Sequence, residues 1–581
     1  MHLKTLILAA SVLFKTVAAN WKTQQWDVIV VGAGPAGIIV ATRMAEAGQK
    51  TLLLEAGGPS YGITGGDLDS RRPSWLKGTN LTRVDVPGLF KSIFDDENGL
   101  ICDLNSYGGC TVGGSTAINA GGHFEPPASD YDLYFPPGWK SKDMQNATRR
   151  LYARQPSTNL TSQNGIRYLQ SGYTAARKWL VEGLGFDDID VNGKADQKTE
   201  VFGHPIFDYA NGQRGGPTIT YLPAALKRSN FQLQTGVKVI RVERKGSQAT
   251  GVAALIDGVL EFIPISPKGR VILSSGAFQS PSLLMFSGIG NPRVLSRLQS
   301  AGKLSSTLRS SQWIKLNAVG KGLFDNPHVT IELEGPEIED YTYSYESPSP
   351  VDEALYLQHR SGPYTFASVT TVFWDTLTRP DGSVAGLQGT LDSSGPGGPA
   401  RRHLSNEDVN PQQHPIIGQQ PISQVVGNRH TVGLNIHGTS GMKSTGNVVL
   451  GKDFSCGPDS KVYYSDPIDA ENVASFIHKI FRGLPSSSLT PLNIPQNATQ
   501  AEIQRYITTP SSYTSGTSNQ WSSSCRIGSC VDVNTTVVGM ENLHVVDAAI
   551  IMPLSVPPQF GVMVAAERAS DLIIGMIEER K

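Results

Sequence analysis

Only five cysteines occur in 581 residues, too few for a disulfide scaffold. No CxxC pair and no Cys/His run at zinc spacing is present, so no metal is expected. An excess of either charge is lacking too: 50 Lys and Arg stand against 51 Asp and Glu, for a net charge of −1. That balance argues against a nucleic-acid partner or an electrostatic hold on a membrane surface. Long apolar runs are also missing. No segment reaches the roughly 18 uninterrupted apolar residues that a spanning helix needs, so no membrane partner is expected. No internal repeats are found.

What is present is globular. Hydrophobic residues make up 39% and charged residues 17%, and the length exceeds what one compact core serves, so two closely packed domains are expected. The chain begins with a weakly basic His2 and Lys4, an apolar run from Leu6 to Phe14 interrupted by Lys15, and small residues at Val17, Ala18 and Ala19. This reads as a cleaved secretory signal over residues 1–19. Sequons at Asn80, Asn146, Asn159, Asn497 and Asn534 agree with a secreted, N-glycosylated protein. In that compartment Cys525 and Cys530 either pair or stand as two small core residues.

The first chemical motif follows at once. Trp26 to Val31 (WDVIVV) is a short β-branched run that reads as a buried parallel strand. Gly32, Gly34 and Gly37 come next in GxGxxG spacing, then a helical pattern from Ile38 to Ala47 ending at Gly48. Lys50 to Leu54 is a second strand, closed by Glu55. In such a βαβ unit the glycines let the backbone approach a pyrophosphate, and the helix N-terminus offers unpaired N–H groups to it. An acid at the end of the second strand suits an adenosine ribose. Strand, glycines, helix, strand and acid all agree on dinucleotide binding.

Further along, Ser106 to Asn119 (SYGGCTVGGSTAIN) concentrates glycine and small polar residues, as backbone laid against a flat ligand requires. Phe231 to Val242 alternates as a strand does, and Val271 to Leu273 is a short strand leading into Ser274. From about Gly335 to Gln420 the chain is poor in motifs, and Ser393 to Pro399 reads as an exposed loop. Near the end, Leu543 to Val546 is a strand finishing in Asp547-Ala548, Pro553 to Gly561 is a proline-interrupted loop, and Val562 to Glu579 is a helix.

These segments together resemble the glucose–methanol–choline (GMC) oxidoreductase family. Its second signature stands in full from Gly276 to Gly290 (GAFQSPSLLMFSGIG), and the look is closest to the flavin domain of fungal cellobiose dehydrogenases. The stretches that match include Val86 to Phe90, Gly109-Cys110, Phe202 to Arg214 (FGHPIFDYANGQR) and Ser266 to Phe278. The resemblance runs from about Asp27 to the C-terminus and includes no haem domain, so no attached cytochrome is expected. It implies an α/β fold: a Rossmann-like FAD-binding domain with an α+β substrate domain whose sheet covers the flavin. Residues 26–325 would form the FAD core with part of the substrate domain, 326–515 mostly substrate domain, and 516–581 the returning FAD segment. The implied cofactor is FAD, with Gly32, Gly34, Gly37 and Glu55 at the ADP moiety and Gly113, Gly114 and Asn119 along the pyrophosphate and ring. The Val239 backbone would meet the adenine, and Asp547 and Ala548 would close over the flavin. Cys110 and Thr111 stand where a covalent linkage would be sought, so non-covalent FAD is expected.

The pattern breaks at the chemistry. Alcohol-oxidising members of the family place a His before the last FAD strand, as base, and a His or Asn near the C-terminus. Here those positions align on Gln520 and Pro557. An amide takes up no proton at physiological pH, and proline has no side-chain donor. His123, just after the flavin-contacting segment, is an alternative base or a hydrogen-bonded structural histidine. The resemblance therefore implies oxidation of a CH–OH group in a small molecule, a fungal secondary metabolite or a carbohydrate-derived alcohol, with a base found elsewhere. It also admits a non-redox cyclase, lyase or isomerase, or a catalytically inert FAD-binding relic.

Overall fold

The computed structural model describes residues 21–94, 99–103, 108–339, 341–393, 430–511, 513–514 and 516–579. The signal-like segment, Ser106 and most of the Ser393–Pro399 cluster lie outside these residues.

Among the described residues, two seven-stranded sheets organise the fold. The first is built around β1 (Trp26–Val31), α1 (Pro35–Glu46) and β2 (Thr51–Leu54). β1 and β2 pair in parallel from Val28–Thr51 to Val31–Leu54. Their Val, Ile and Leu side chains are buried on both faces, as a helix-covered parallel sheet demands. Phe231–Gln234 joins β2 in parallel, and the end of strand Val259–Leu273 joins β1. Leu543–Val545 then adds beyond Val271–Leu273, so the C-terminal segment returns to the first sheet.

The expected strand from Phe231 to Val242 is in fact two, Phe231–Gln234 and Val237–Lys245, parted by Gly236 at φ +70. Only glycine turns there without steric cost. The short strand at Val271–Leu273 is the buried tip of a much longer one, Val259–Leu273.

The second sheet is antiparallel at its centre. It contains β3 (His328–Glu334), β4 (Val369–Thr378), β5 (Val384–Asp392) and β6 (Thr431–Gly438), in the spatial order β3-β6-β5-β4. Val329, Ile331, Leu434, Ile436, Leu387 and Phe373 occupy one face and share an apolar cluster with helix Pro467–Phe481. Period-two alternation then leaves the other face to His328, His437, Gln388 and Trp374.

The last helix, α2 (Gln559–Glu578), starts three residues before the expected Val562. Pro558 caps it from outside, where a missing N–H costs nothing. It packs on α1 and on helix Ser141–Arg154. Buried Glu567 joins these elements, accepting from Arg150 Nε at 2.8 Å and Tyr221 Oη at 2.8 Å, with Arg43 Nε 3.3 Å away. Cys525 and Cys530 are disulfide-bonded, so of the two readings left open the paired one holds. Among the described residues, no helix is long and apolar enough to cross a membrane, and no cluster of metal-ligating side chains forms.

Candidate active site

The turn after β1 is a cradle that side chains would fill. Gly32 has φ +101, and a Cβ there would lie 2.5 Å from the Ser274 carbonyl oxygen. At Gly37 a Cβ would come within 1.9 Å of Gly32 O, so α1 presses directly on the turn. Gly34 is the residue before α1; no side chain caps the helix and no acid stands in its first turn. The first amides are thereby left for an anionic ligand. Gly113 N donates to Ala33 O at 2.8 Å, and a Cβ on Gly114 would meet Gly34 Cα at 2.7 Å. The glycine-rich segment thus lies against the turn.

Glu55 closes this end. Its Oε2 accepts from Ala33 N at 2.8 Å and its Oε1 from Gly57 N at 2.9 Å. Burial pushes its carboxyl up, and the Gly57 and Ala33 amides oppose the shift. Val239 lies nearby in strand Val237–Lys245, which begins where Val237 N donates to Glu55 O at 2.9 Å. Asp547 anchors the returning segment: Oδ2 accepts from Gly276 N at 2.8 Å and Ser280 Oγ at 2.5 Å, and Oδ1 from Ala549 N at 2.8 Å. Ala548 O accepts from Ser523 N at 3.0 Å, which ties that segment to the loop carrying Gln520. Cβ-free turn, uncapped helix and strand-end acid fit the ADP half of FAD.

The opposite end holds a buried polar chain. Asn119 Oδ1 accepts from Gly121 N at 2.9 Å and Arg214 Nη1 at 3.2 Å, and its Nδ2 donates to Gln559 Oε1. Gln559 Nε2 then donates to Asp208 Oδ2 at 2.6 Å. Asn119 and Gln559 are brought together with Asp208, a residue the sequence reading assigned no role. The signal lay in the Phe202–Arg214 stretch, which carries both Asp208 and Arg214.

Gln520 sits on a loop organised by fully buried Asp325. That carboxylate accepts from Gln520 N at 2.6 Å, Ser518 Oγ at 2.8 Å, Ser518 N at 3.0 Å, Thr517 Oγ1 at 3.1 Å and Tyr463 Oη at 2.6 Å. The loop needs such a clamp, because Asn519 and Ser523 both hold left-handed backbone, φ +59 and +71. Gln520 Oε1 is buried without a hydrogen-bond partner among the described residues, which leaves an acceptor for a ligand. Pro557 is half-buried in the segment before α2.

His123 is fully buried, its ring 4.8 Å from Phe560. Neither ring nitrogen has a partner among the described residues, so the hydrogen-bonded structural role is not what the structure provides. Burial lowers its pKa to about 3. His123→Phe therefore removes two orphaned polar atoms, and chemical unfolding of the variant should show about 1–3 kcal/mol of added stability. A loss of stability, or of bound flavin, would mean that a nitrogen has a partner when the cofactor is in place.

Residues 29–328 match the N-terminal family model described as GMC oxidoreductase, and residues 456–566 match the C-terminal one. Among curated proteins, the chloroplastic fatty acid photodecarboxylase of Chlamydomonas reinhardtii is 25% identical over 366 residues, 59% of this chain and 56% of that protein. An oxygen-dependent choline dehydrogenase of Vibrio vulnificus is 29% identical over 293 residues, 47% of this chain and 49% of that one. The chain thus spans about half the length of the curated relatives it matches. Solved structures share the fold over nearly all of it. Aspergillus oryzae formate oxidase superposes with a TM-score of 0.72 at 17% identity, over 96% of this chain and 99% of that one. An FAD-dependent oxidoreductase from Chaetomium thermophilum gives 0.70 at 16%, over 95% and 100%.

Proposed function

Because the chain belongs to the GMC oxidoreductase family, a family of FAD proteins, we propose that it is a secreted FAD-dependent oxidoreductase acting on a CH–OH group of a small molecule. The observation that carries this reading is the glycine cradle and uncapped helix N-terminus, set in one molecule with a loop that leaves Gln520 Oε1 unpartnered. Gly32, Gly34, Gly37 and Glu55 would hold the ADP half, and Gly113, Gly114, Val239, Asp547 and Ala548 the rest of the cofactor. When bound, FAD supplies an acceptor for a hydride at N5.

The protein's own work is orientation. Gln520 Oε1 accepts a hydrogen bond from a polar hydrogen of the substrate other than that of the reacting hydroxyl, and takes up no proton. The Asn119–Gln559–Asp208 chain fixes the backbone at the start of α2, and with it Pro557. The sequon asparagines Asn80, Asn146, Asn159 and Asn497 are exposed, which supports a glycosylated, secreted protein. A carbohydrate-derived alcohol or a fungal secondary metabolite is the proposed substrate. The amide and proline at the aligned positions also favour a second reading, a non-redox cyclase, lyase or isomerase in which Gln520 orients a substrate oxygen.

Anaerobic mixing of the FAD-loaded protein with a panel of alcohols separates the two. Bleaching of the oxidised flavin band supports the oxidoreductase. Product without bleaching and without acceptor consumption supports the second reading. Installing a base where the Asp325 clamp presents one, by Gln520→His with Pro557→Asn, should speed bleaching by sugar alcohols about 10²-fold. Unchanged rates with flavin fully bound would mean that these positions do not face the substrate.

A further inference from the structure

The polar face of the second sheet carries one continuous cross-strand row. His328 of β3 pairs with His437 of β6, His437 with Gln388 of β5, and Gln388 with Trp374 of β4. Directly opposed residues in an antiparallel sheet share a face and stand about 5 Å apart. The opposite face is apolar and packed under helix Pro467–Phe481. This row is nonetheless buried as well, with His437 at 8% exposure and Gln388 at 1%.

Both ends of the row are tied, each to a segment of the candidate site. His328 N donates to Gly516 O at 3.0 Å and its Nδ1 lies 3.3 Å from Thr517 O, on the loop that carries Gln520. Trp374 Nε1 donates to Ser555 O at 3.1 Å, on the segment that carries Pro557. The Trp374 ring also meets Phe124 edge-on at 5.3 Å, on the stretch that follows Asn119. The middle of the row is not tied. His437 Nδ1 and Gln388 Nε2 are buried with no hydrogen-bond partner among the described residues. These two unpartnered atoms lie side by side between the Gln520 and Pro557 segments, where one polar ligand would satisfy both.

We propose that His437 and Gln388 form the substrate subsite of this protein, with His437 Nδ1 as the proton acceptor that Gln520 cannot be and Gln388 Nε2 as a donor to the substrate oxygen. This rests on the oxidoreductase reading. The substrate class is an alcohol with its hydroxyl toward the sheet. With FAD bound, the flavin would accept the C–H electron pair as hydride, His437 Nδ1 would take the O–H proton, and the C=O bond would form. Burial, and after it the charge effect of the neighbouring His328, holds the His437 pKa well below the ordinary imidazole value, so the ring is neutral; the two rings stack 4.7 Å apart and 14° from parallel. A neutral ring with an N–H at Nε2 has its lone pair at Nδ1.

The test uses the full FAD-loaded chain. With benzyl alcohol, cellobiose and glycerol as anaerobic probes, His437→Ala should slow flavin bleaching about 10²-fold, and added imidazole should restore part of it. His437→Gln guards against a folding defect in the first variant; it should be equally slow and not respond to imidazole. Gln388→Leu should raise the half-saturating probe concentration about tenfold, the loss of one hydrogen bond. A readout independent of turnover is diethyl pyrocarbonate at neutral pH, mapped by peptide mass. His437 should be modified, and His328, which is hydrogen-bonded at both nitrogens, should be spared. An unmodified His437, or a His437→Ala protein bleached at the wild-type rate, overturns the subsite. If no probe bleaches the wild type while His437 is modified, the oxidoreductase reading falls and the ligand-facing row stands.

Discussion

Asp325→Ala is expected to cost about 4 kcal/mol of folding stability and to release the loop that presents Gln520. A hydrogen bond to a charged group contributes about 1.5–3 kcal/mol, and a buried donor left without its acceptor loses more than the bond itself. Here one carboxylate serves Gln520 N, Ser518 N, Ser518 Oγ, Thr517 Oγ1 and Tyr463 Oη. These contributions do not add, since the donors share one acceptor and relax together. The alanine variant also leaves the left-handed Asn519 and Ser523 with less to hold them. Asp325→Asn keeps one acceptor oxygen but turns an NH₂ toward the remaining donors, and should lose about half as much. Urea unfolding of the FAD-loaded proteins measures the first effect. Proteolytic nicking near residue 519 measures the second. Wild-type stability in the alanine variant would show that solvent replaces the carboxylate and that the clamp does not hold the loop.

How much of this was legible depends on the range of each constraint. The cofactor cleft was readable because its physics is local. The positive φ of Gly32 and the pressing of Gly37 on Gly32 O arise within about thirty residues, with Glu55 at the end of the same unit, although Gly32 also has to clear the distant Ser274 carbonyl. The start of α2 was misjudged by three residues because Pro557 and Pro558 look like breakers, whereas a proline just outside a helix is compatible with its start. Asp325 was invisible for a different reason. Its partners on the Gln520 loop lie almost two hundred positions away in sequence and Tyr463 lies 138 away, and nothing around it announces a clamp. The row from His328 to Trp374 exists only once four strands have found their register, and a shift of one residue would turn His437 into the apolar cluster. Local pattern therefore carried the βαβ turn, whereas long-range pairing built the Asp325 clamp and the row from His328 to Trp374.

Asp208 gives the second large effect, a stability that falls as pH rises. Its side chain is fully buried beside Arg214, with Oδ2 bonded to Gln559 and Oδ1 without a partner among the described residues. Burial raises its pKa from 3.8 to about 8, with the Arg214 charge opposing the shift. The sign follows from proton counting. Between these two values the folded protein holds a proton that the unfolded chain has already released, so ν_U − ν_N is negative and stability declines with pH. The full contribution is present below the unfolded value and is lost as pH climbs through the folded one. One proton gives a slope of at most about 1.4 kcal/mol per pH unit. Asp208→Asn is neutral at every pH and keeps an oxygen for Gln559 Nε2. Its stability should match the wild type near the acid end of this window and exceed it increasingly toward pH 8. Denaturant melts across the window read the slope directly. Parallel curves for the two proteins would place the ionised carboxylate in the fold at neutral pH, paired with Arg214. In that case the Asn119–Gln559–Asp208 chain would carry a fixed negative charge, where burial favours a protonated carboxyl.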